Sequence, residues 1–102
     1  MSRPNVPNNV PNISFKSLTT ENTWTDWVWN QGHGMALSIS GTWSGTLTLQ
    51  RRFDAILSEV DVTSYTANAQ KVIDDPTMGI QYRIGFKTGA SPTGTAEVAI
   101  KS

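Results

Sequence analysis

Cysteine is absent from this chain of 102 residues, which excludes disulfide frameworks, thiolate metal sites and thiol nucleophiles and leaves the redox compartment open. Charge is scarce as well: 16% of residues are charged, below the roughly 25% of an average domain. Eight basic residues balance eight acidic ones, so no net field draws the chain to nucleic acid or to an anionic membrane. Histidine occurs once, as His33 between two glycines. A lone imidazole cannot build a multi-histidine zinc site, and this one reads as an exposed turn residue. No run approaches the ~18 apolar residues of a membrane span. The stretch from Met1 to Asn12 has no apolar segment of the signal-peptide kind.

What remains is rich in Thr, Ser, Asn and alternating apolar residues. The length suits one domain, with roughly 65% of the unfolded surface buried on folding. The first dozen residues carry Pro4, Pro7 and Pro11 with Val6 and Val10 between them. Prolines at that spacing defeat helix and sheet pairing alike, so residues 1–17 are expected to form an extended arm and 18–102 the folded domain. From Ile13 onward the hydrophobic period is two, the mark of strands with one buried face. Strands are expected around Trp24 to Asn30, from Met35 to Gly41, from Thr46 to Phe53 (Leu47, Leu49 and Phe53 on one side), at Val60 and Val62, from Ile80 to Phe86 and from Thr95 to Lys101. The segment Tyr65 to Ile73 supplies a further strand or one helical turn. Six or seven short strands joined by Gly and Pro turns predict an all-β fold, a two-sheet antiparallel sandwich of jelly-roll or immunoglobulin-like type. The last strand is expected to leave a free sheet edge for a partner.

Chemistry-bearing residues are few. Asp54, Glu59, Asp61, Asp74 and Asp75 sit in or beside loops, where they read as solvated turn residues or, less simply, as an acid/base pair or a calcium site. Their spacing matches no calcium loop. Gly41 to Gly45 lacks the Gly-Lys ending of a phosphate loop. No nucleophile and base stand out, so the chain reads as a non-enzyme with no cofactor and no metal. Of the four tryptophans, Trp27 and Trp29 share a strand face and are expected in the core. Trp24 and Trp43 are expected at the surface, as an interface or as a platform for sugar rings flanked by Asp26, Asn30, Gln31 and His33. Of Arg51 and Arg52, one points to solvent and the other pairs with a carboxylate such as Asp54.

The run from Ser40 to Arg51 (SGTWSGTLTLQR), followed by Asp54, resembles small bacteriophage virion proteins of about this length. Further matches are Val62 to Thr66 (VTSYT), Tyr82 to Gly85 (YRIG) and Thr93 to Thr95 (TGT). Where that group shows an Asp-Gly-Gly hairpin, this chain has Asp54-Ala55-Ile56-Leu57, which lengthens the loop and adds apolar residues. The resemblance implies a capsid decoration or cement protein, or a neck or tail accessory component, assembled in the host cytoplasm. Its implied partners are a major capsid protein or neck and tail proteins, with many symmetric copies or a homo-oligomer. The residues assigned to assembly contacts are Pro4, Val6, Pro7, Val10, Pro11, Trp24, Trp43, Ile56 and Leu57. The alternative is a carbohydrate-binding module that recognises a host surface glycan through Trp24 or Trp43.

Overall fold

The computed structural model describes residues 12–32, 34–53, 58–75 and 79–102. The alternating pattern translates directly into strands, because β-branched and aromatic side chains at every second position pack on a pleated, half-buried surface. Nine strands result among the described residues: β1 (Ile13–Leu18), β2 (Thr23–Trp24), β3 (Val28–Trp29), β4 (Met35–Ser44), β5 (Leu47–Arg52), β6 (Val60–Tyr65), β7 (Ala69–Ile73), β8 (Gln81–Phe86) and β9 (Thr93–Lys101). There is no helix among the described residues.

The strands form two antiparallel sheets, sheet A in the order β1-β9-β4-β7 and sheet B in the order β2-β8-β5-β6, with β3 continuing the β2 edge along β8. The two sheets pack face to face as a β-sandwich. Between them lie Met35, Leu37 and Ile39 of β4 and Ala96, Val98 and Ile100 of β9, against Leu47 and Leu49 of β5 and Tyr82, Ile84 and Phe86 of β8. Burial is close to complete: Leu47, Ile84, Phe86, Val98 and Ile100 all have zero exposure. At ~25 cal/mol per Å² of apolar surface removed from water, each such side chain contributes about 2 kcal/mol.

Several sequence expectations change in detail. Residues 13–17, assigned to the arm, form most of β1, paired in register with β9 from Ile13 opposite Lys101 to Leu18 opposite Ala96. Pro4, Val6, Pro7, Val10 and Pro11 lie outside the described residues. The final strand is no edge, because β9 runs between β1 and β4. The free edges of the sandwich on one side are β7 of sheet A and β6 of sheet B. The segment Tyr65 to Ile73 divides: Tyr65 ends β6 in one sheet, residues 66–68 cross over, and Ala69 begins β7 in the other. No helical turn forms there. Strand β4 does not stop at Gly41 but continues to Ser44, paired with the start of β9. That ladder passes Trp43 only because its partner is Gly94, with φ +72, where a Cβ would run into the carbonyl of Thr42. Phe53 lies beyond the end of β5 and is exposed.

Candidate functional site

The two outer faces of the sandwich are finished in opposite ways. On sheet B the outward residues of β5 and β8 are Thr48, Gln50 and Arg52 against Gly85, Arg83 and Gln81. Both strands carry the same Gln-x-Arg triplet, and antiparallel pairing sets each Gln opposite the other strand's Arg. Arg83 Nε donates to Gln50 Oε1 at 3.0 Å and Arg52 Nε to Gln81 Oε1 at 2.8 Å. The β2–β3 edge then folds over this lattice. Trp24 pairs with Gly85 and Val28 with Tyr82, so one extra residue is accommodated between them. Thr25 fills the break, its Oγ1 accepting from the Ile84 N–H at 3.1 Å. The irregularity turns Trp24 and Trp27 to the same side, where a regular strand would oppose them.

A ladder of alternating indoles and guanidiniums follows. Arg83 Cζ lies 4.1 Å from the Trp24 ring centroid and 4.6 Å from that of Trp27, while Arg52 Cζ lies 4.2 Å over Trp27. Each such contact is worth about 0.5–2 kcal/mol, more as water is excluded. Burial pushes the Arg83 guanidinium below its ordinary value, with Glu59 opposing the shift and Arg52 reinforcing it. Glycine is required at 85, because a Cβ there would come within 2.8 Å of Trp24 Cδ2 and strike the backbone of β2. The cover explains why Thr48, Gln50 and Gln81 are buried on a nominally outward face. At the rim, Gln50 Nε2 donates to Asp61 Oδ1 at 2.9 Å, and Lys87 Nζ reaches Asp61 Oδ2 at 2.6 Å. The hydrogen bond from Lys87, then that from Gln50, holds the Asp61 carboxyl below the usual carboxylate range.

Sheet A has no such cover. Its outward residues are Ile13 and Phe15 of β1, Ala99 and Lys101 of β9, Ala36 and Ser38 of β4, and Gln70 and Val72 of β7. Ile13 is 57%, Phe15 62% and Val72 80% exposed. Ile13 and Val72 flank an open, mainly apolar groove of about 340 Å³ with Ala36 and Ala99 on its floor.

One pole of the sandwich gathers many chain segments. Register places the start of β1, the end of β3, the start of β4, the end of β5, the starts of β6 and β8 and the ends of β7 and β9 there. It is tied by polar contacts. Asn30, fully buried, donates through Nδ2 to the Asp75 carbonyl and accepts from the Gly32 N–H at 2.9 Å. Tyr82 Oη donates to Asp75 Oδ2 at 2.6 Å. Burial, then the Asp75 hydrogen bond, pushes the Tyr82 hydroxyl up to about 12, so the phenol stays protonated and serves as a structural donor. Ser102 closes the pole through Oγ to the Trp29 carbonyl and N–H to the Asn12 carbonyl.

These positions settle the predicted site residues one by one. Trp27 and Trp29 do share a face, but it is the outer face of sheet B: Trp29 is buried there outside the central core, and Trp27 is half-buried in the ladder. Val28 takes the core place expected of them. Trp24 is half-buried under Arg83. Trp43, expected at the surface, packs edge-on against Phe86 with centroids 5.9 Å apart, its N–H donating to Asn68 Oδ1 at 2.7 Å. Ile56, Leu57, Asp54 and His33 lie outside the described residues. Comparison with protein-family models, with curated proteins and with solved structures returned no match. The polar groups proposed around a sugar do not converge: Asp26 is held by Ser14, Asn30 is internal and Gln31 binds Ser102. Two arginines already lie over the Trp27 ring, Arg52 at 4.2 Å and Arg83 at 4.6 Å from its centroid. Among the described residues no three His, Cys, Asp or Glu side chains gather as a metal set. Missed from the sequence were Arg52 and Arg83 as partners of the indoles; the repeated Gln-x-Arg triplet, once at 50–52 and once at 81–83, was the available signal.

Proposed function

We propose that this protein is a structural assembly component, a sandwich that acts by docking on other proteins in a many-copy particle, and not by turning over a substrate. The observation that carries the reading is the asymmetry of the two outer faces. Tryptophan and arginine cover the β8–β5 part of sheet B within the chain itself, whereas sheet A presents Ile13 and Val72 beside an apolar groove and Phe15 exposed on the same face. A groove of that kind on a small, sparsely charged domain is the usual mark of an interaction surface. The polar groups brought together at the pole, Asn30, Asp75 and Tyr82, hold loops to strands. The particle we favour is a bacteriophage virion, with the protein as a capsid decoration or neck and tail accessory part; that setting rests on the motif resemblance of residues 40–51, 62–66, 82–85 and 93–95. Mass spectrometry of purified particles tests it, together with deletion of residues 1–12. We expect the protein in the particles at stoichiometric occupancy and reduced occupancy for the deletion. Particles free of the protein overturn the reading.

A further inference from the structure

We propose that the occupant of the open face of sheet A is a second copy of this chain, packed sheet to sheet about a two-fold axis that crosses the strands at Ala99. The inference rests on the assembly reading above and adds the partner and its orientation. Where β1 flanks β9 and β4, register fixes three outward rows: Ser17, Glu97 and Ser40; then Phe15, Ala99, Ser38 and Gln70; then Ile13, Lys101, Ala36 and Val72. The charged side chains among them are Glu97 in the first row and Lys101 in the third, on the same strand with Ala99 midway. An in-plane axis across the strands at the middle row turns the face onto itself with the ends exchanged. Ala99 then meets the partner's Ala99, Phe15 meets the partner's Phe15, and Glu97 lies over the partner's Lys101 twice, once on each side of the axis. Such an isologous contact is self-complementary by symmetry. The other in-plane axis, along the strands, leaves each Lys101 beside the partner's Lys101 and each Glu97 beside the partner's Glu97. The charge pattern therefore selects the first.

Packing agrees with the electrostatics. Apart from Glu97 and Lys101, the two central strands present Ala36, Ser38, Ser40 and Ala99 outward, small enough for two sheets to approach to about 10 Å. Phe15, with 62% of its surface exposed, then loses that exposure against an aromatic ring. Four strands at ~4.8 Å and about six residues at ~3.3 Å make a face of roughly 19 by 20 Å. Two such faces bury roughly 800 Å², below the ~1,000 Å² that a stable specific contact clears. The dimer is therefore weak and concentration-dependent, the kind of contact that an array of copies multiplies.

Sedimentation of the full chain from about 1 μM to about 1 mM supplies the test. We expect a reversible monomer–dimer equilibrium. Phe15→Ser should weaken it at least about tenfold, and Glu97→Lys and Lys101→Glu should each do the same, while the double charge exchange returns it to within about threefold of the parent. Because the chain has no cysteine, Ala99→Cys offers a single handle: a short bis-maleimide should join it to its own copy, and Ser64→Cys on sheet B should not be joined. Circular dichroism confirms that each variant keeps its strands. A monomer throughout the range, charge exchange that fails to restore association, or equal cross-linking at Ser64→Cys overturns the proposal. A monomer that still enters particles removes the self-association and leaves the assembly reading intact; a dimer absent from particles does the reverse.

Discussion

Sheets A and B are built from similar alternating strands, yet one closes its own outer face and the other leaves it bare. The difference is carried by a few residues at an edge. On sheet B a break between β2 and β3 turns Trp24 and Trp27 to the same side, and two cross-paired Gln-x-Arg triplets supply guanidiniums that fit between and over the rings. On sheet A the corresponding edge, β1, is regular from Ile13 to Leu18, so its outward residues stand upright into solvent. In a small sandwich an irregular edge strand can act as a lid, and a regular one leaves a docking plate.

Substitutions should separate the two faces, with effects on folding that fall in order. Gly85→Ala should do most, about 3 kcal/mol in denaturant unfolding, because its methyl displaces Trp24 and the β2 backbone together. Trp27→Ala should cost about 2 kcal/mol, since it removes the ring that both Arg83 and Arg52 contact and exposes the polar lattice beneath. If it costs no more than an ordinary surface change, the ladder is ornament and the contrast between faces fails. Tyr82→Phe is the inward control, expected at about 1.5 kcal/mol through the lost hydrogen bond to Asp75. It also has a pH signature. The Tyr82 hydroxyl is raised in the folded state to about 12. Its contribution is therefore complete below the ordinary tyrosine value near 10 and lost as pH rises through about 12. Alkaline unfolding curves should show that loss in the parent and a smaller one in Tyr82→Phe, where Tyr65, also pushed up by burial, remains.

Asp61 at the rim gives a smaller effect of opposite sense. Its folded value is depressed by Lys87 and Gln50, so its stabilisation is present above the ordinary aspartate value near 4 and disappears as pH falls through the lower folded value. Asp61→Asn should flatten that acid-side decline, and salt should weaken it in the parent, because the pair with Lys87 is exposed. Smallest of all on folding is Phe15→Ser on the open face, about 0.5 kcal/mol or less. A large loss there would mean that Phe15 is part of the monomer's own packing.

The sequence made the core legible and the surfaces obscure. Leu37, Ile39, Ile84, Phe86, Val98 and Ile100 follow a period of two, and period reports which side of a strand is buried. It cannot report which sheet a strand joins, so the crossing at 66–68 and the central place of β9 were hidden: both depend on long-range pairing. The tryptophans were misjudged for a related reason. Trp27 and Trp29 do alternate with Val28, but the face opposite the core was assumed to be wet, whereas folding of the β2–β3 edge makes it a second, polar-aromatic interior. Ile13 and Phe15 went unnoticed as exposed apolar residues of a sheet face because the prolines upstream drew the arm boundary too far into the chain.

The central place of β9 also has a consequence for biosynthesis. Sheet A is completed only when residues near 100 arrive to separate β1 from β4, with Ile13 waiting for a partner in Lys101. During translation β1 thus has no neighbour in sheet A until β9 has been made, which favours late, concerted formation of the sheet over strand-by-strand folding.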